Sequence, residues 1–129
     1  MENVYKEEPT IFIDIDHIQL AALKNSEAAY RHFFHDILGM PEIEKPDNLK
    51  KRGGVWFKCG QHEVHIGIQE PFTPATKAHP AFIVKDLALL KETLHAHHIE
   101  TIEDEPLENA IRFYVNDPCG NRLEFLERI

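Results

Sequence analysis

The chain has 129 residues, which favours one compact domain and is too short for two domains of ordinary size. Hydrophobic residues make up 43% of the chain and charged residues 28%; this composition excludes a disordered protein, and no apolar run approaches the ~20 residues of a membrane-spanning helix. The net charge of −8 argues against a nucleic-acid partner, because such proteins gain affinity through Lys and Arg contacts to phosphates.

Residues 1–10 carry charges and a proline without periodicity, which predicts an N-terminal arm. Their acidic side chains are atypical of a secretion signal, so the expected location is the cytoplasm, where the two cysteines would be free thiols. We expect a single domain over residues 11–129. Its two halves share one layout and define a first module (11–70), a linker (71–78) and a second module (79–129).

The first module opens with a predicted strand between Ile11 and Ala22 that contains His17. Asn25-Ser26 is a typical helix N-cap, and Gly39 is a typical helix terminator because it tolerates a left-handed backbone. Between them, apolar residues at the spacing i, i+3, i+4, i+7, i+8 predict a helix with one buried face. These residues are Tyr30, Phe33, Phe34, Ile37 and Leu38.

Residues 40–52 are polar with two prolines and indicate a weak strand or an exposed excursion. A β-hairpin is predicted next, with strands at 55–59 and 63–68. Alternation along the hairpin directs one apolar set toward the helix: Val55, Phe57, Cys59, Val64, Ile66 and Ile68. The opposite face, which we expect to line a cleft, carries Trp56, Lys58, Glu63 and His65.

The second module repeats this order. A predicted strand at 79–84 opens on His79, and Asp86 is a typical N-cap for a helix that ends near Ile99. The apolar face of this helix consists of Leu87, Leu90 and Leu94.

The module closes with two further predicted strands, at 110–115 and 122–126, joined by a turn at 117–121. Residues 100–108, which precede them, are acidic and typical of turns. On the strand faces opposite the apolar side chains lie Arg112, Tyr114 and Glu124.

Potential metal ligands recur at matching positions of the two modules. His17 and His79 open the two halves, and the closing strands carry Glu63 with His65 in one half and Glu124 in the other. Two imidazoles and a carboxylate are a common site for a divalent transition metal. A single strand histidine is more often a hydrogen-bonded surface or core residue, so the symmetric placement is what favours a metal site.

Substrate-binding candidates share the predicted cleft face. Lys58 or Arg112 could hold a carboxylate or phosphonate, with Trp56 and Tyr114 beside them. The alternative is that Lys58 is a solvated strand residue and Arg112 a cross-strand ion partner.

The chain resembles the vicinal oxygen chelate superfamily, which includes glyoxalase I, bleomycin-resistance proteins, fosfomycin-resistance enzymes and extradiol dioxygenases. The resemblance extends from Ile13 to Glu127 and rests on five segments. They are DHIQLAA (16–22), FFHDILGM (33–40), EVHIGI (63–68), KAHPAFIVKDL (77–87) and RFYVNDPCGNRLEFLE (112–127). The last segment is the most specific of the five.

The resemblance implies an α+β fold of two βαβββ modules that pair into a curved, partly open mixed sheet around a metal-binding cleft, with helices on the outer face. It implies that His17, His79 and Glu124 bind a divalent ion (Zn, Ni, Mn or Fe), with His65 or Glu63 as a fourth ligand and His65 favoured. These last two are also the candidate catalytic residues. The ion would chelate vicinal substrate oxygens and stabilise an oxyanion or enolate.

Two functions are consistent with this resemblance. The first is a metal-dependent lyase or isomerase of the glyoxalase type, or a small dioxygenase, acting on a small molecule as a homodimer. The alternative is a metal-independent binding protein of the bleomycin-resistance type. Because those binding proteins generally lack the metal triad, its presence favours the enzyme. Typical extradiol dioxygenases have four modules, whereas this chain has two, and it lacks an obvious glutathione-binding cluster.

Overall fold

The two halves of the chain form two mixed β-sheets in a computed structural model that describes residues 10–129. The predicted N-terminal arm at 1–10 lies almost wholly outside the described residues. The first sheet has the strand order β1-β4-β3-β2, with β1 parallel to β4 and β3 antiparallel to both of its neighbours. Its strands are β1 (His17–Ala22), β2 (Glu42–Ile43), β3 (Val55–Cys59) and β4 (His62–Ile68).

The second sheet repeats the central part of this arrangement. Its order is β5-β7-β6, with β5 parallel to β7 and β6 antiparallel to β7. The strands are β5 (Ala81–Ile83), β6 (Ala110–Asn116) and β7 (Arg122–Arg128). In each sheet the first strand therefore runs parallel beside the last, and the predicted α+β fold with two open sheets is confirmed.

Helices connect the strands and cover one face of the sheets. Helix α1 (Glu27–Tyr30) continues into a π-helix (Arg31–Ile37), a 3-10 helix (Asp47–Arg52) precedes β3, and α2 (Leu87–Ala96) follows β5. The aromatic and aliphatic side chains predicted for the first helix are buried or partly buried, so the predicted face is right although only the first turn is α-helical. No helix among residues 10–129 is long and apolar enough to cross a membrane.

The two predicted helix caps have different outcomes. Asp86 caps α2, because its Oδ1 accepts a hydrogen bond from the Leu89 N–H at 3.0 Å. Ser26 makes no capping bond; its hydroxyl donates instead to the Leu23 carbonyl at 2.5 Å, so this prediction of a side-chain cap is wrong.

Two predicted strands begin later than the sequence pattern indicates. The strand predicted between Ile11 and Ala22 occupies only His17–Ala22, because His17 pairs with Glu63 near the beginning of β4 and earlier residues have no strand to pair with. Likewise His79 lies two residues before β5, whose ladder starts with Ala81 opposite Glu124.

Residues of both halves meet in one hydrophobic core. A buried polar junction beside it joins the halves through Asp117, in the turn between β6 and β7. The Tyr30 hydroxyl donates to Asp117 Oδ2 at 2.6 Å, and Asn121 Nδ2 donates to the same oxygen at 2.9 Å. Asn121 Nδ2 also donates to the Ala21 carbonyl at 2.8 Å, and Asn121 Oδ1 accepts from the Ala75 N–H at 2.9 Å.

Replacing Tyr30 with Phe removes one hydrogen bond to the buried Asp117 carboxylate. We expect Y30F to lower the free energy of unfolding by about 1.5–3 kcal/mol, because the carboxylate loses a donor where water cannot replace it easily. Urea denaturation measures this change. T93V is the control, since it removes a hydroxyl whose bond to the Leu89 carbonyl is exposed, and it should cost less than about 0.5 kcal/mol. Equal losses in both variants would contradict the role assigned to Asp117.

The same hydroxyl should make stability depend on alkaline pH. Burial first, and then the hydrogen bond to Asp117, raise the pKa of Tyr30. An unfolded tyrosine titrates near pH 10, so above that pH the unfolded chain loses a proton that the folded chain keeps, and folding is disfavoured. The stability difference between the parent and Y30F should therefore be constant below about pH 10 and shrink by roughly 1.4 kcal/mol by pH 11. If the difference in unfolding free energy between the parent and Y30F stayed constant up to pH 11, the pKa of Tyr30 would not be raised by folding.

Candidate functional site

Three aromatic rings stack on the face of the first sheet that points away from its helices. The Trp56 and His65 rings are parallel within 1°, with centroids 3.7 Å apart, and His65 stacks on His17 at 4.0 Å. The strand register produces this stack, because His65 on β4 lies directly opposite Trp56 on β3. His65 is only 5% exposed, so the neighbouring rings shield it from water.

Polar neighbours fix the two histidines of this group. His65 Nε2 lies 2.9 Å from Glu63 Oε1, and His17 Nδ1 lies 2.8 Å from Asp16 Oδ2. The hydrogen bond from His17 lowers the pKa of Asp16, which favours its ionised, accepting form. Because Nδ1 of His17 donates to that carboxylate, its Nε2 keeps a lone pair that can bind a metal.

A second group lies on the corresponding face of the second sheet. His79 Nδ1 donates to the Lys77 carbonyl at 2.8 Å, and its Nε2 lies 2.9 Å from Oε1 of Glu124, whose side chain is 7% exposed. A carbonyl oxygen can only accept, so Nδ1 carries a hydrogen. Neutral His79 then directs a lone pair at the carboxylate, and the contact requires either a second proton or a shared cation.

Arg112 borders the second group as an ion partner. Its Nη1 donates to the Tyr114 hydroxyl at 2.7 Å and lies 3.6 Å from Glu124 Oε1, while Nε and Nη2 donate to the Glu105 carbonyl at 3.1 and 2.8 Å. Of the two interpretations of Arg112, the cross-strand ion partner therefore describes its contacts. The Tyr114 ring meets the edge of the His79 ring at a centroid distance of 5.2 Å.

The structure groups the candidate ligands in two sets without joining them. His17 lies with His65 and Glu63, and His79 lies with Glu124. Within residues 10–129, no set of three or more His, Cys, Asp or Glu side chains is placed to hold one metal ion. Lys58 is exposed opposite Glu63 and has no salt bridge in the described part of the chain. The roles of these residues remain predictions.

Four residues near the first group were not singled out in the sequence. Asp16 directly precedes β1 and Gln19 lies two residues after His17 on it; Gln19 could have been found because residues two apart on a strand share a face. Lys45 and Arg52 belong to residues 40–52, which were predicted to be a weak strand or an exposed excursion. This segment has no hydrophobic periodicity from which the direction of its side chains could be predicted. Only the fold brings these two cations to a cavity beside Trp56.

Comparisons with known proteins agree on the family. The model of the Glyoxalase/Bleomycin resistance protein/Dioxygenase superfamily matches residues 14–125. A crystal structure of a glyoxalase family protein from Bacillus anthracis is 48% identical, covers 95% of this chain and 100% of its own, and has a TM-score of 0.91. No curated protein matches in sequence.

More distant crystal structures share the fold. Lactoylglutathione lyase from Agrobacterium tumefaciens is 22% identical, with a TM-score of 0.70 and coverage of 92% of this chain and 96% of its own. A fosfomycin resistance protein from Listeria monocytogenes is 16% identical, with a TM-score of 0.69 and coverage of 92% and 94%. At these identities the likeness concerns the fold alone.

The stacked rings give an optical test, because Trp56 is the single tryptophan of the chain. Replacing His65 with Ala should shift the emission maximum of Trp56 to longer wavelength, since one face of the indole becomes accessible to water. It should also remove the ~0.5–1.5 kcal/mol that an aromatic pair adds beyond burial. H62A is the matched control, because His62 is partly exposed on the same strand and pairs with Asp14. Identical spectra for the parent and H65A would show that the rings are apart in solution.

Proposed function

We propose that this chain, which belongs to the Glyoxalase/Bleomycin resistance protein/Dioxygenase superfamily, is a metal-dependent lyase or isomerase of the glyoxalase type that acts on a small molecule with vicinal oxygens. One observation carries the proposal. His79, two residues before β5, and Glu124 on β7 direct a nitrogen and a carboxylate oxygen at each other.

The geometry of this pair fits a divalent ion. The Nε2 and Oε1 atoms are 2.9 Å apart, and two ligand atoms bonded at about 2.1 Å to one ion at right angles lie about 3 Å apart. The Lys77 carbonyl holds the opposite ring nitrogen of His79, as outer partners of metal-bound histidines do. His17 has the same arrangement, with Asp16 as the outer partner.

His17, His79 and Glu124 would hold the ion, with His65 or Glu63 as a fourth ligand. The bound ion would supply a Lewis acid for adjacent oxygens of the substrate. Proton transfer would be carried out by other side chains of the site. His65 and Glu63 face each other at 2.9 Å in a shielded position, which suits them to transfer a proton between Nε2 and Oε1.

Arg112 and Tyr114 support the second group rather than the proton transfer. The guanidinium group lies 3.6 Å from the Glu124 carboxylate and is itself held by the Tyr114 hydroxyl and the Glu105 carbonyl. This contact gives the Glu124 carboxylate a fixed cationic neighbour that holds it in position for a ligand role.

We propose further that the site is completed by a second copy of the chain in a homodimer. The separation of the two ligand sets within residues 10–129 supports this, since neither set alone supplies the three ligands. A second observation is the run of exposed apolar side chains just before β1, with Ile11 91%, Phe12 77% and Ile13 100% exposed. Exposed apolar patches of this kind are typical of interfaces.

Metal content tests the enzyme hypothesis directly. The untagged parent, purified without chelators, should contain close to one divalent ion per chain by mass spectrometry. H79A and E124A should each lose most of it, because removal of one of three ligands leaves too few donors. H95A serves as the control, since His95 is exposed on α2 and bonds only to Thr101 within the described residues. A metal-free parent that binds a ligand without added ions would favour a sequestering binding protein instead.

Mixing two inactive variants tests whether the site spans two chains. H17A lacks a ligand of the first set and E124A lacks one of the second, so neither homodimer should bind the ion. If each site uses one set from either chain, a purified heterodimer of the two variants contains one intact site and recovers about half of the parental metal content. Recovery of none would place all ligands of a site in one chain.

A further inference from the structure

We propose that the cavity beside Trp56 binds the carboxylate end of the substrate, so that the substrate is a small organic acid. The cavity has a volume of ≈ 310 Å³ and lies between the 3-10 helix and the exposed face of the first sheet. Polar and charged side chains at its edge are Gln19, Lys45 and Arg52, and its apolar lining includes Leu49, Trp56 and Ile68. This inference rests on the proposed function, and it adds that the substrate bound on this face of the first sheet is negatively charged.

The charge of the cavity differs from that of the chain. The protein has a net charge of −8, yet Lys45 and Arg52 form no salt bridge within residues 10–129. Lys50, in the same segment, is neutralised by Glu44 at 2.9 Å and Asp47 at 2.8 Å. Lys51 also has no salt bridge within the described residues but lies outside the cavity lining, so two of the three unpaired cations of this segment line the cavity.

Glu27, an acidic side chain close to Lys45, already accepts a hydrogen bond from the backbone. Glu27 accepts a hydrogen bond from the Gly54 N–H at 2.9 Å, and this bond is the main cause of its lowered pKa. Lys45 donates to the Gly53 carbonyl, which fixes its ammonium group beside the cavity. Glu27 offsets part of the charge of Lys45, while Arg52 leaves the cavity with an excess of positive charge. A carboxylate is the ligand group that such a pair of donors prefers.

The absence of a side chain at Gly67 makes room for the amide group of Gln19. Gly67 follows the stacked His65 on the same face of β4, and a Cβ atom there would lie 2.3 Å from Nε2 of Gln19. Without it, the Gln19 amide lies across the strand beneath the cavity and offers its N–H groups to a ligand.

The cavity borders the first ligand group through Trp56. Trp56 lines the cavity and also stacks on His65 at 3.7 Å, and Gln19 is the strand partner of His65. A ligand whose carboxylate meets Arg52 would therefore lay its apolar or flat portion against the indole and direct its other end toward His65 and His17. The dimensions suit an aromatic or short aliphatic acid.

Fluorescence of Trp56 reports occupancy of the cavity. We would titrate the protein with phenylacetate and with phenylacetamide, its uncharged analogue of nearly equal shape. Phenylacetate should change the emission saturably, and phenylacetamide should bind at least about tenfold more weakly, because it lacks the charge that the two cations recognise. Equal responses to the two probes, or no saturable response to phenylacetate, would overturn the proposal.

Matched variants locate the binding. R52Q and K45Q should each weaken phenylacetate binding by about tenfold, whereas K51Q, which removes an exposed neighbouring cation outside the cavity, should leave it unchanged. Equal weakening in K51Q and R52Q would indicate nonspecific attraction and overturn the assignment. Binding is also measured in H79A, which lacks a proposed metal ligand. If H79A still binds phenylacetate, the carboxylate site does not depend on the proposed metal site. Complete loss of phenylacetate binding in H79A would overturn an independent carboxylate site.

Discussion

The structure depends on one buried carboxylate, that of Asp117. Its Oδ2 accepts from the Tyr30 hydroxyl and the Asn121 amide, and its Oδ1 accepts from the backbone N–H groups of Cys119 and Asn121 at 2.9 Å each. A carboxylate removed from water is unfavourable unless its oxygens are hydrogen-bonded, and here four donors meet that requirement. One of them comes from the opposite half of the chain, so the charge can be buried only when the two halves are assembled.

The same junction positions the metal-ligand candidates. Ala75 in the linker is held on both sides, by its N–H to the Asn121 side chain and by its carbonyl to the Arg122 N–H at 2.9 Å. The chain then has only a few residues before His79, which limits where that ring can lie. Glu124 is in the strand that begins at Arg122, so one anchored turn places both members of the second group.

The sequence correctly predicted the features that depend on a single helix or strand. The alternating faces of β3 and β4, the buried side of the first helix and the Asp86 cap each follow from local periodicity or local hydrogen bonding, and the structure confirms them. The family resemblance supplied the pairing of modules, and the observed sheets agree with it.

The wrong and missed predictions have one physical cause. A pattern along one segment does not show which other segment it will contact in the fold. The apolar alternation before His17 is real, but β4 offers no residues to pair with it, and so the strand is shorter than predicted. Ser26 has the chemistry of a cap, yet a nearby carbonyl takes its hydroxyl. Lys45 and Arg52 are separated by a helical turn in a segment without periodicity, and only tertiary structure brings them to one cavity.

The two halves have kept a histidine and a carboxylate in contact while their surroundings diverged. His65, the partner of Glu63, lies between the rings of Trp56 and His17, whereas Glu124, the partner of His79, lies beside the Arg112 guanidinium. The rings stacked on His65 limit the access of water to its contact with Glu63. The Arg112 guanidinium lies 3.6 Å from Oε1 of Glu124 and gives this carboxylate a fixed cationic neighbour. These different surroundings are the basis for the proposed roles, in which His65 and Glu63 transfer a proton and His79 and Glu124 bind the ion together with His17.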